Sequence, residues 1–309
     1  MATIKEIAEK AGVSTTTVSN VIHGKTKKVS PATIQKIEAL IKEVGYVQKR
    51  GLRVLNNEKS QLIAVVINYH KEFKDSILGD PFYGKIIGFI EEYVQKQGYY
   101  LMLYSTKDIE EIFQMVAGWD VDGVIAISFS RHNCEKIYQL IKKPIVSIDA
   151  YGYEHIKVCA GRDNGVDHLR YVGAQRAMQE CAAEGQKLQF VALGMNYEKR
   201  KASYDWLVQR RLPGTALFFL SDMYALEAIR FCADKKVAVP QQIGVAGYDD
   251  ISYAQYSTPR LTTIKQDVQK KAQKAVEILL KWIEEGEEYP QREVELSVTL
   301  VKRKSVERD

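Results

Sequence analysis

The feature that most constrains this chain is its opening stretch, TIKEIAEKAGVSTTTVSNVI. Thr3 and Glu6 have the S/T-x-x-E spacing of a capping box, which predicts a helix beginning at Ile4. Gly12 supplies the backbone freedom needed just after a helix end, and Ser14 is placed to cap a second short helix. Two short helices joined by a tight turn that contains glycine predict a helix-turn-helix.

The outer face of the second helix carries the chemistry of a base-reading surface. Thr15, Thr16, Ser19 and Asn20 are small, polar and uncharged. Asparagine can pair with adenine through two hydrogen bonds, and threonine offers both a hydroxyl and a methyl group to base edges. The pattern therefore favours a helix that reads the major groove of double-stranded DNA, with a plain helical hairpin as the alternative.

Charge is distributed very unevenly along the chain. Residues 1–60 contain eleven Lys and Arg against five Glu, a net charge of +6, whereas the remainder carries 33 basic and 34 acidic residues, a net −1. Most affinity for DNA comes from neutralising phosphates, so this asymmetry favours a DNA partner. Ser30 and Pro31 predict the start of a third helix, and a basic, aperiodic stretch at 46–60 predicts a linker.

From Leu62 onward, short β-rich runs alternate with amphipathic helices, such as those predicted over 82–97 and 222–235. Repeated βα units predict an α/β fold with parallel sheet covered by helices on both faces, as one large sheet or two smaller ones. The predicted strands are 63–67, 99–104, 123–128, 144–149, 156–160, 188–193, 216–220 and 243–247. No run of apolar residues is long enough to span a membrane, and we expect a cytoplasmic protein.

Polar residues that follow predicted strands are candidates for ligand binding, because ligands of doubly wound sheets bind beyond the carboxyl ends of the strands. They are Asp149, Ser221, Asp222, Asp249 and Asp250. For any one of these, capping of the next helix is the competing interpretation. The motifs of common hydrolase, nucleotide and zinc sites are missing, and the four cysteines are scattered, so no metal, cofactor or catalytic residue is expected.

In this order of parts the chain resembles the LacI/GalR family of bacterial transcription regulators. The similarity rests on ATIKEIAEKAGVSTTTVSNVIHGK, VSPATIQKI and VGY, and further along on VDGVIAIS, VAVPQQIGVAGYDD and TPRLTTIKQD. It implies a helix-turn-helix domain at 1–47, a hinge at 48–61, and a two-lobed body at 62–309 with a periplasmic-binding-protein-like fold. It also implies a homodimer that represses transcription from a palindromic operator.

The resemblance assigns DNA contacts by position. Thr15, Thr16 and Asn20 would face base edges, while Ser14, Thr17 and His23 would face phosphates. Tyr46 and Arg53 are further expected DNA contacts, and Leu55 would wedge into the minor groove from a hinge helix. The segment KRGLRVL departs from the usual hinge pattern, because Gly51 disfavours a helix by about 1 kcal/mol relative to alanine.

The resemblance also implies a small-molecule effector bound between the two lobes, and the expected effector is a sugar. Its expected contacts are Phe82, Tyr83, Asp149, Arg170, Ser221 and Asp249. Only the five residues YGYEH separate Asp149 from the predicted strand at 156–160, where family members have a much longer segment. This departure leaves open a regulator that answers to a partner protein. A solute-binding protein and a sugar-processing enzyme with a DNA-binding appendage are the more distant alternatives.

Overall fold

A computed structural model of the chain describes residues 3–46, 59–68, 76–150, 166–181, 185–194, 196–286 and 293–306. The chain divides into two compact units, Met1–Ser60 and Gln61–Asp309. Most of the predicted hinge, with Arg53 and Leu55, lies outside the described residues, as does the strand predicted at 156–160. The domain boundaries at 47 and 61 therefore stay predictions.

The first unit, which we call the head, contains three helices. They are α1 (Ile4–Ala11), α2 (Thr15–Ile22) and α3 (Pro31–Glu43). The predicted capping box is present, since the Glu6 amide donates to Thr3 Oγ1 at 3.3 Å and the Thr3 amide donates to Glu6 Oε2 at 2.8 Å. The three helices bury one small apolar core, formed by Ile7, Ala8, Ala11, Val18, Val21 and Ile37.

The second unit, the body, alternates strands and helices as predicted. Its strands are β1 (Leu62–Ile67), β2 (Tyr100–Ser105), β3 (Gly123–Ile127), β4 (Ile145–Ile148), β5 (Ala216–Phe218), β6 (Gly244–Asp249), β7 (Thr262–Lys265) and β8 (Thr299–Val301). Its α-helices are α4 (Pro81–Lys96), α5 (Ile109–Trp119), α6 (Arg131–Ile141), α7 (Val166–Cys181), α8 (Tyr197–Gln209), α9 (Asp222–Asp234) and α10 (Val268–Glu285). Short 3₁₀ helices occupy Ile77–Gly79 and Ser252–Gln255. None of the described helices is both long and apolar enough to cross a membrane.

The described strands of the body form two four-stranded sheets, and not one large sheet. The first sheet has the order β2-β1-β3-β4 and is parallel throughout. Side chains of β1 alternate between its two faces: Ile63, Val65 and Ile67 pack with α4 and α10, while Ala64 and Val66 pack with α5 and α6. Helices on both faces explain why β1 reads as an unbroken apolar run.

The second sheet has the order β5-β6-β7-β8, with β8 antiparallel to β7. Helix α9 packs against β6, and α8 packs against α9. Helix α10 follows β7 of the second sheet but covers β3 and β4 of the first sheet, and the chain then returns to β8. We call the first sheet with α4, α5, α6 and α10 the first lobe, and the second sheet with α7, α8 and α9 the second lobe.

One strand prediction is wrong and two strands were missed. Residues 188–193 form no strand, and Leu188 and Phe190 are 43% and 39% exposed, so their apolar run is not buried in a sheet as expected. Strands β7 and β8 escaped prediction because both are short and β7 carries two threonines and a lysine among its four residues. Of these two strands only β8 lies at an edge of the sheet, and runs of three or four residues are too short to show the alternation that identifies a strand.

Candidate nucleic-acid interface and ligand site

Helix α2 is amphipathic: its polar face is exposed to solvent and its apolar face packs in the head core. The hydroxyl of Ser14 accepts a hydrogen bond from the Thr17 amide at 3.1 Å, which caps the helix, and Ser14 and Thr17 hydroxyls also bond at 2.9 Å. Thr15 and Thr16 are exposed in the first turn, while Val18 lies in the head core. The first turn can therefore approach a ligand without disturbing the fold of the head.

The remaining predicted contacts on the head are only partly exposed. Asn20 is half-buried, and His23 follows the end of α2 with Nδ1 at 2.6 Å from the carbonyl oxygen of Ser19. Tyr46 packs against the head core, and burial raises the pKa of its phenol. The ring of Tyr46 thus has a structural role that the sequence did not indicate.

The charge around α2 is one-sided. No acidic residue occurs between Glu9 and Glu38, a stretch that includes all of α2 and the loop after it. That loop carries Lys25, Lys27 and Lys28, all exposed. A stretch of chain without acidic residues, with neutral polar side chains on a helix and lysines in the next loop, suits contact with phosphates and base edges.

In the body, the predicted ligand residues lie where strands of both sheets end. Asp149 directly follows β4 and Asp249 is the last residue of β6, and both have positive φ angles, 53° and 114°. Asp80 caps α4 by accepting from the amides of Phe82 at 2.8 Å and Tyr83 at 3.3 Å. This cap fixes the two aromatic residues in the first turn of α4.

Phe82 and Tyr83 form an aromatic pair at this position. Their rings meet edge to face, with centroids 5.6 Å apart. The hydroxyl groups of Tyr83 and Ser128 lie 2.9 Å apart, and Ser128 follows β3, so the pair is tied to the strand ends of the first sheet.

Asp249 is the centre of a polar cluster in the second lobe. Arg170 donates to Asp249 Oδ1 at 3.2 Å and to the carbonyl of Leu220, and its guanidinium stacks 4.0 Å from the centroid of the Tyr248 ring. Gln266 donates to the same oxygen of Asp249 at 2.7 Å. Burial raises the pKa of Asp249 to about 7, although Arg170 and Gln266 both act to lower it.

Lys271, in the first turn of α10, extends this cluster to the first lobe. Its ammonium donates to Asp149 Oδ1 at 2.6 Å and to Gln266 Oε1 at 2.8 Å, and lies 5.8 Å from the centroid of the Phe82 ring. We call the continuous set Asp149, Lys271, Gln266, Asp249 and Arg170 the interlobe network. It connects the strand ends of the two sheets.

The structure thus brings together most, but not all, of the predicted ligand residues. Phe82, Asp149, Arg170 and Asp249 belong to or touch the interlobe network, and Tyr83 touches Phe82. Ser221 is the N-cap residue of α9 but makes no side-chain capping bond. Sequence reasoning missed Gln266, although this residue belongs to the family motif TPRLTTIKQD. It also missed Lys271, which lies in the lysine-rich run VQKKAQK, a pattern typical of a solvated helix face.

Two of the candidate carboxylates brace the second lobe instead. Asp222 is fully buried and accepts from the amide of Ile251 at 2.9 Å and the hydroxyl of Thr263 at 2.5 Å. Asp250 pairs with Arg303 at 2.6 Å. A cavity of about 500 Å³ lies near Arg303 and contains none of the predicted ligand residues.

Comparison with known proteins matches both units. Residues 3–49 match the family described as bacterial regulatory proteins, lacI family, and residues 150–306 match the periplasmic binding protein-like domain. The chain is 30% identical to the HTH-type transcriptional repressor PurR of Histophilus somni (strain 2336), over 99% of each chain. This chain belongs to the LacI family. It is a DNA-binding transcription regulator of that family, which confirms the prediction and sets aside the solute-binding and enzyme alternatives.

Further relatives also align with nearly the whole length of this chain. PurR of Haemophilus influenzae (strain PittEE) is 29% identical over 99% of each chain. The structure of the regulator CelR in complex with cellobiose covers 99% of this chain at 25% identity, with a TM-score of 0.65. The lac repressor dimer bound to operator and the anti-inducer ONPF shares the fold, with a TM-score of 0.80 at 23% identity over 98% of each chain.

The alignments contain positions at which the PurR relatives have residues and this chain has none. They extend over 342 and 349 positions for the two PurR proteins, whereas this chain has 309 residues, so at least 33 and 40 positions have no counterpart here. A shortfall of this kind was expected from the short segment after Asp149.

Proposed function

We propose that this LacI-family regulator is a repressor that binds a near-palindromic operator as a homodimer, with α2 of each head in the major groove. The observation that carries the proposal is the exposed, capped first turn of α2 within a stretch free of acidic residues from 10 to 37. Thr15, Thr16 and Asn20 would contact base edges, and Ser14, Thr17, His23 and Tyr46 would contact the backbone. The protein would act in the cytoplasm, where the operator is.

Operator affinity would be modulated by a carbohydrate bound between the lobes. Carboxylates, a guanidinium and an aromatic face are the groups that recognise a hydroxylated ring, and the proposal is supported by the contacts of Asp149, Asp249, Arg170 and Phe82 within or against one network. The alternation of cations and carboxylates along this network favours a neutral ligand with several hydroxyl groups over a strongly charged one. Support also comes from CelR, whose structure contains cellobiose.

Such modulation is a coupling free energy between two sites, and it is reciprocal. A compound that weakens operator binding must itself bind more weakly when the operator is present, by the same factor. This equality can be measured, and it separates true coupling from a compound that simply denatures the head.

Selection of operators from random DNA duplexes at roughly physiological salt, with and without a panel of sugars, tests the proposal. We expect an enriched palindrome whose binding responds to one compound. A palindrome that responds to no sugar would favour control by a partner protein, the alternative that the short segment after Asp149 supports. The absence of any enriched sequence would contradict operator binding itself.

A further inference from the structure

Lys271 makes three contacts that a bound ligand would otherwise make. Its ammonium donates to the Asp149 carboxylate at 2.6 Å and to the Gln266 amide oxygen at 2.8 Å, and it faces the Phe82 ring at 5.8 Å. An anionic acceptor, a neutral acceptor and an aromatic face form the contact set expected for a hydroxylated ring. In this structure one side chain of the protein satisfies all three.

The position of Lys271 is unfavourable for a lysine unless its partners compensate. It lies in the first turn of α10, where the helix dipole is positive and disfavours a cation. Its side chain is 16% exposed, so the ammonium has also lost much of its hydration. Lys271 falls on the buried face of α10 together with Val268, Ala272 and Ala275, whereas the neighbouring Lys270 is exposed.

We propose that Lys271 is a tethered occupant of the effector site, so that an effector must displace its ammonium from Asp149 and Gln266 before it can bind. The inference rests on the proposed function of the cleft as an effector site and specifies how that site is regulated. Lys271 is then a residue that sets effector affinity by competing with the ligand, and not a direct ligand contact.

The tethered ammonium also joins the two lobes. Asp149 ends a strand of the first sheet, whereas Gln266 bonds to Asp249 at the end of a strand of the second sheet. Displacing Lys271 therefore breaks the interlobe network between Asp149 of the first lobe and Asp249 of the second lobe. Effector binding is thereby coupled, through the side chain of Lys271, to the contacts that join the two lobes.

Chemical rescue tests the proposal without knowledge of the natural effector. Lys271→Ala removes three methylene carbons and the ammonium, and n-propylammonium replaces those four atoms. We expect the variant to have a lower thermal midpoint that n-propylammonium restores in a saturable way, while tetramethylammonium, which cannot donate a hydrogen bond, does not. Lys270→Ala should show no such rescue, and Asp149→Asn introduced beside Lys271→Ala should abolish it.

The regulatory part of the proposal is read from operator binding. Lys271→Ala should change operator affinity on the order of fivefold, and n-propylammonium should return it toward the wild-type value. An ion pair with a purely structural role would alter the thermal midpoint and leave operator affinity unchanged, which would overturn the regulatory role. If the wild type bound no operator, the proposed function would fail, yet the thermal rescue would still report whether the site accepts an occupant.

The effector that operator selection identifies gives the sharpest comparison. Lys271→Met keeps the side-chain stem and removes the charge, so it should bind that effector roughly tenfold more tightly, since no charged hydrogen bond has to be broken first. Weaker binding by Lys271→Met than by Lys270→Met would mean that Lys271 contacts the effector directly, and the tethered-occupant proposal would be wrong.

Discussion

Replacement of Ile37 by alanine should unfold the head while leaving the body folded. Ile37 is fully buried and belongs to a core that has six buried residues within the described part of the head. The change removes three carbons, worth about 2.4 kcal/mol at about 0.8 kcal/mol each, and the cavity left behind brings the expected loss to about 3–4 kcal/mol. A domain of this size rarely has a free energy of unfolding above about 3–5 kcal/mol, so the expected loss is comparable with the entire stability of the head.

Calorimetry and operator binding together measure this effect. We expect the wild-type body transition to persist in Ile37→Ala, because the body has hydrophobic core clusters of its own, while operator binding is lost. Ile4→Ala is the matched control, since Ile4 is only partly buried in the same core and should cost much less. Operator binding by Ile37→Ala within threefold of wild type would refute the reasoning, as would simultaneous loss of the body transition.

Three further substitutions test separate parts of the structure. Asn20→Ala should cost about 1–3 kcal/mol at one base pair of the operator and relax preference there; equal losses on random DNA would show that Asn20 reads no base. Because the pKa of Asp249 is raised to about 7 from 3.8, the folded state retains a proton that the unfolded state loses between about pH 4 and 7. This group therefore makes the free energy of unfolding fall as pH rises through that window, and urea unfolding of Asp249→Asn at pH 5 and 8 should show a smaller fall than wild type. Ser305→Ala should lower the free energy of unfolding by about 1–3 kcal/mol in denaturant titration, since the buried Thr262 amide loses its acceptor at 2.8 Å; an unchanged midpoint would contradict this.

The head was predictable because its determinants are local. The capping box joins Thr3 to Glu6, three positions away, and the cap of α2 joins Ser14 to Thr17, again three positions away. Such signals depend on the conformation of one turn and need no information about distant parts of the chain. The side chain of Tyr46 shows the limit, because its packing against the head core depends on how the three helices meet.

In the body, the sequence located strand ends but did not separate ligand residues from braces. Asp222, Asp249 and Asp250 all follow apolar runs of similar character. Only the tertiary structure shows that Asp222 and Asp250 hold the second lobe together while Asp249 joins the interlobe network. The same limit applies to residues 188–193, whose apolar composition predicted a strand that the described chain does not form.

The sequence by itself determined the family, the helix-turn-helix head, the excess of positive charge there and the positions where strands of the body end. The tertiary structure decided that the strands form two sheets and that Lys271 pairs with Asp149, 122 residues away, and Arg170 with Asp249, 79 residues away. Helix caps and strand patterns are set by interactions between neighbouring residues. Pairing across such separations is set by how the sheets and helices pack, and α10 brings Lys271 to the first lobe only because the chain crosses between the lobes on both sides of that helix.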